Sequence, residues 1–150
     1  MAYRLVASLL AEGVSLDRIT DRMTAFNMLD AVFAPAFPAA LAKLAVINIY
    51  EVDGERGPWH ERVRVRGVDG GEIAATSAEL RGEGLVHRSA HLFQGVPLSR
   101  AGIYTIVTEG APAPQGPWQL LSTRRLHAIE QRHPLGAGPA EVRPATHLSE

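Results

Sequence analysis

Two histidines, His87 and His91, stand four residues apart, the spacing that on a helix would let both imidazoles share one metal ion. Their neighbours argue against a helix. Val86, Ala90 and Leu92 alternate with His87, Ser89 and His91, the two-residue period of a strand whose polar side faces solvent. Along a strand, four residues cover about 13 Å, too far for one metal to bridge. No metal and no cofactor is therefore expected.

Two tripeptides are alike, Gly57-Pro58-Trp59 and Gly116-Pro117-Trp118. Each opens an expected strand, where proline costs no ladder hydrogen bond. The indole there either caps the end of a core or offers an apolar face to a sugar ring or a partner protein. Arg62, Arg64 and Arg66 project from one side of an alternating strand, opposite Val63 and Val65. Such a stripe is either solvated, discouraging edge-to-edge pairing, or meets an anionic partner, with Arg88 as an extension. Trp59, Trp118, Arg62, Arg64 and Arg66 are the candidate ligand- or partner-binding residues.

Residues suited to catalysis are scattered. A hydrolase would need a cleft that gathers at least two of Asp30, His60, Glu61, His87 and His91. The chain has no Gly-x-Ser-x-Gly elbow, no phosphate-binding Gly-Lys-Ser/Thr loop and no calcium loop. No catalytic residue is assigned, and the reading leans away from an enzyme.

The formal net charge of −1 gives no broad electrostatic footprint for nucleic acid or an anionic membrane. Every basic residue but Lys43 is arginine, which together with abundant Ala, Gly and Pro reads as coding bias. Cysteine is absent, which rules out disulfides and thiolate-bound metal and fits a reducing cytoplasm. The apolar run Leu5–Ala11 is short and stops at Glu12, unlike a signal peptide. No stretch reaches the ~18 apolar residues of a membrane helix. A cytoplasmic location is expected.

The elements that must hold these residues are short apolar or alternating runs between turn residues, the pattern of an all-β sandwich. Strands are expected over 3–11, 23–33, 44–52, 61–68, 72–80, 85–94, 103–109 and 118–123, with one helical turn over 39–44. In the first, Tyr3, Leu5, Ala7, Leu9 and Ala11 share a face. Asp53-Gly54 and Asp69-Gly70-Gly71 are turn signals. Residues 124–132 read equally as strand continuation or a short C-terminal helix. The expectation is an antiparallel β-sandwich of about seven or eight strands, immunoglobulin-like or jelly-roll-like. It occupies residues 1–130, followed by a Pro-, Gly- and Ala-rich tail over 131–150.

Leu29-Asp30-Ala31-Val32-Phe33-Ala34-Pro35-Ala36-Phe37-Pro38, then Gln94-Gly95-Val96-Pro97-Leu98 and Gly102-Ile103-Tyr104, resemble the two signatures of an uncharacterised bacterial family of small β-sandwich proteins. The resemblance spans about 3–121. It implies the fold and carries no catalytic residue across. In its terms Gly102 permits a tight strand entry and Tyr104 returns its hydroxyl to the backbone. The functional expectation is a non-enzymatic module for protein contact or self-association, prompted by strands apolar on both faces. The alternative is a small-ligand or carbohydrate-binding sandwich using Trp59 and Trp118 as paired platforms.

Overall fold

The computed structural model describes residues 3–53, 57–81 and 84–132. The expected turn at Asp53-Gly54 and the tail over 131–150 fall largely outside them. Nine strands form two packed sheets: β1 (Tyr3–Asp17), β2 (Arg22–Met28), β3 (Ala31–Ala34), β4 (Ala39–Val52), β5 (Trp59–Arg66), β6 (Glu72–Leu80), β7 (Val86–Leu98), β8 (Gly102–Ala111) and β9 (Gln119–Glu130). One sheet has the order β2-β1-β4-β7 and the other β3-β9-β8-β5-β6. The all-β sandwich is thus as expected. Pairing is antiparallel throughout, except that β3 runs parallel to β9.

Several expected elements are redrawn. The run 23–33 divides between the sheets, β2 in one and β3 in the other. Residues 39–44 are strand and not a helical turn, because they pair with 93–98 of β7. Of the two readings for 124–132, the strand holds: residues 124–130 continue β9, paired with β8 and, over 127–130, with β3.

The sheets meet over a main apolar cluster that includes Leu44, Val46, Val63, Val65, Phe93, Tyr104, Ile106 and Leu126. A smaller cluster at the other end joins Tyr3, Tyr50, Val52, Trp59 and Leu80. Strand β5 shows why the sequence folds this way: Trp59, Glu61, Val63 and Val65 are buried, and the intervening His60, Arg62, Arg64 and Arg66 are half-buried on the outer face. Its turn to β6 is set by Gly70 at φ +86° and by the Asp69 carboxylate, which accepts from the Gly71 amide at 3.0 Å.

A third cluster lies on the opposite face of β4. Ala45 and Ile47 point away from the core, yet are buried with Ala11 beneath Val14, Met23 and Ala25. The outer halves of β1 and β2 therefore fold back over this face as a two-stranded ribbon. The ribbon bends where Asn27 adopts φ +52° and donates to the Glu12 carboxylate at 2.8 Å. Its tip reaches β7, with Leu16, Asp21 and Met23 lining a crevice against Val86, His87 and Arg88.

At the β8 entry, Gly102 has φ +145° and a Cβ there would meet Val68 Cγ2 at 2.8 Å. Tyr104 donates to the Arg100 carbonyl at 2.9 Å, the hydroxyl-to-backbone return expected of it. No helix of the described residues is long and apolar enough to cross a membrane.

Candidate functional site

Two polar arrangements stand out, one inside the sandwich and one on its surface. Inside, Glu61 of β5 has no exposed surface and reaches across to the other sheet. Its Oε1 accepts from the Tyr50 hydroxyl at 2.9 Å and from Asn48 Nδ2, and its Oε2 accepts from Ser89 Oγ at 2.6 Å. His91 Nε2 stands 3.1 Å from Oε2, off the line of a well-formed hydrogen bond.

Burial alone would push the Glu61 carboxyl up. The nearby His91 imidazole and the Ser89 and Tyr50 hydroxyls outweigh it and hold the carboxyl below its ordinary range. Tyr50 moves the other way, pushed up by desolvation first and then by the Glu61 charge and hydrogen bond.

Strand β7 is thereby turned relative to expectation. His87, Ser89 and His91 face inward, and His91 is buried; Val86, Ala90 and Leu92 are exposed. The polar set is inside because Glu61 is there to pair with it. Of the five residues considered for a hydrolase, Glu61 and His91 come together. Ser89 donates to the carboxylate and not to the imidazole, so it is not arranged as an activated nucleophile. Asp30 is exposed, and its carbonyl accepts from the His127 amide at 3.0 Å.

The surface arrangement lies on the outer face of the five-stranded sheet. Trp59 is buried in the smaller cluster and stacks on Tyr3 with ring centroids 5.7 Å apart, on the inner side of β5. Trp118 lies on the outer side, with the Arg62 guanidinium 4.3 Å from its ring centroid. The two tryptophans are therefore not paired platforms; the sheet separates them. Gly116, at φ +95°, makes the fold of Trp118 possible, since a Cβ there would meet the Trp118 amide at 3.0 Å.

Arg62 is held by Glu109 of β8: its Nε and Nη2 each lie 2.8 Å from Oε2. Arg64 Nη2 takes the other oxygen at 2.9 Å, and Arg64 Nη1 lies 3.6 Å from Glu72. Ser77 and Glu79 of β6 stand opposite Arg62 and His60 in register. Arg88 sits on β7 in the other sheet and does not extend it.

Beside Trp118 is a hollow of about 150 Å³ lined by His60, Ser77, Ala78, Glu79, Pro114 and the indole. Pockets for drug-sized ligands run about 300–1,000 Å³, so this one suits a single ring. Glu79 is gripped by Arg81 at 2.7 and 3.1 Å. That guanidinium holds the carboxyl below its usual range, so it stays an anionic acceptor.

The interior layer escaped sequence reasoning, although one signal was present. Glu61 shares its parity with Trp59, Val63 and Val65, and Asn48 with Leu44 and Val46, so each is a polar residue in an apolar set. Glu109 had no such signal, because its role depends on the β5–β8 register that sets it opposite Arg62.

These features define a two-sheet β-sandwich with a polar, aromatic-walled hollow on one outer face. Neither a family model nor a curated protein matches the chain. Among solved structures, the crystal structure of the C-terminal domain of wzt is similar, with a TM-score of 0.51 at 10% identity. The likeness covers 87% of this chain and 75% of that one, and at this identity it shows a shared fold.

Proposed function

We propose that the chain is a non-catalytic binding module that takes a saccharide ring against Trp118, on the outer face of the five-stranded sheet. The observation that carries this is the hollow itself, with a part-exposed indole facing three polar side chains, His60, Ser77 and Glu79. A sugar ring has the matching chemistry: an apolar C–H face to stack on the indole, and hydroxyls to donate to Glu79 and bond Ser77 and His60. Arg62, fixed by Glu109, holds the indole in place before any ligand arrives. The non-catalytic part is supported by Ser89, His91 and Glu61, which spend their polar groups on one another in the interior.

Titration of the full chain with a panel of mono- and disaccharides, read by tryptophan emission and by amide NMR shifts, tests the reading. At least one saccharide should shift amides of β5 and β6 around the hollow. Trp118→Ala should weaken that binding by about tenfold or more without changing the circular dichroism. Absence of saccharide shifts near the hollow, or unchanged affinity in Trp118→Ala, would overturn it.

Self-association is a second reading. It is favoured by Phe33, Ile103 and Ile129, which are exposed on the same sheet where β3 forms its edge.

A further inference from the structure

The outer face of the five-stranded sheet carries more positive charge than its acids can balance, and the excess is local. Glu109 takes both Arg62 and Arg64. Glu72 stands opposite Arg66 in the β5–β6 register, but its carboxylate lies by Arg64. Two residues further along β5, Arg66, Thr105 and Arg125 form one row across β5, β8 and β9, Arg66 opposite Thr105 and Thr105 opposite Arg125. Among the described residues, neither Arg66 nor Arg125 makes an ion pair.

The spacing of this row matches the size of an oxyanion. Neighbouring strands lie about 4.8 Å apart, so the Arg66 and Arg125 backbones are about 10 Å apart with the Thr105 hydroxyl between them. Two arginine side chains at that separation can close their planar donor forks on a single oxyanion while the hydroxyl supplies a further donor. Buried Val107 lies on the same face of β8 two residues on, limiting water on that side. His127, two residues along β9 on the same face, adds another ring nitrogen at the rim.

We propose that Arg66, Thr105 and Arg125 form an oxyanion subsite for a sulfate, phosphate or carboxylate group. It goes beyond the saccharide reading and stands independently of it, since four residues along β5 place Arg66 about 13 Å from Arg62. If both sites are used together, the ligand is an acidic oligosaccharide long enough to span them, with one ring on Trp118 and the charge of another at this row.

The test uses the full chain and NMR titration with three probes: sodium sulfate against sodium chloride at matched ionic strength, glucose, and glucuronate. Sulfate should shift the amides of Thr105 and Arg125 beyond the chloride control. The double variant Arg66→Gln/Arg125→Gln should weaken this by about tenfold or more, and Trp118→Ala should leave it unchanged. Glucuronate binding more tightly than glucose, with the advantage lost in the double variant, identifies a sugar-borne anion. Sulfate binding without that preference identifies a free oxyanion, and also supports the subsite. No sulfate shift beyond chloride, or shifts that persist in the double variant, overturns the proposal. Glucose binding that depends on Trp118 would survive that result, so the two readings fail separately.

Discussion

Glu61 shows what a single side chain does to this molecule. An unpaired carboxylate at full burial would cost several kcal/mol, and removing one partner of such a group typically costs about 3–5 kcal/mol. Here Asn48, Tyr50, Ser89 and His91 all converge on it from the facing sheet. Glu61→Ala leaves those groups unpaired and should lose stability on that scale, against the ~5–15 kcal/mol of a typical domain. The acid dependence follows from the direction of its shift. Folding lowers the Glu61 carboxyl below its unfolded value, so its stabilisation is complete above about pH 4.3 and is lost as pH falls through the lower folded value. Urea unfolding between neutral and acid pH should show the midpoint dropping on the acid side, and dropping less in Glu61→Gln. Equal drops in both proteins would remove Glu61 from that account.

At the scale of elements, the ribbon of β1 and β2 is held to the body by side-chain packing beyond the bend at Asn27. Val14, Met23 and Ala25 rest on Ala11, Ala45 and Ile47. Met23→Glu puts a charge into that seam and should release the ribbon while leaving the sandwich folded. Hydrogen exchange should then rise over residues 14–26 and stay unchanged in β5 and β8. Uniform acceleration would mean that the ribbon unfolds only with the whole. The elements also show how far the chain was legible. Strand β5 and the Asp69 turn were readable because alternation and turn chemistry are local. Faces were harder. In β1 a register shift between Leu5 and Ala7 swaps the sides, sending Ser8 and Leu10 inward and Ala7, Leu9 and Ala11 outward. In β7 the alternation was correct but its sense was inverted, because a buried acid on a distant strand decides which side is inside. The apolar second side of β4 was also legible, though its cover proved to be the chain's own ribbon.

Across the whole molecule, that intramolecular cover changes the case for assembly. The second apolar face of β4 is already occupied, so self-association rests on Phe33, Ile103 and Ile129. Light scattering over a range of concentrations should show mass rising with concentration, and Phe33→Glu should abolish the rise. A constant monomer mass at high concentration would discard the assembly reading. The same arrangement gives the sandwich two unlike sides, one closed by the ribbon and one bearing Trp118, Arg66 and Arg125. At the ribbon tip, the Asp17 carboxylate fixes the turn by accepting from the Ile19 and Thr20 amides, while the Ile19 side chain is 96% exposed. Ile19 is thus a natural point of attachment: a dye, tether or solid support joined there sits on the far side from the face that carries Trp118 and leaves that face turned outward.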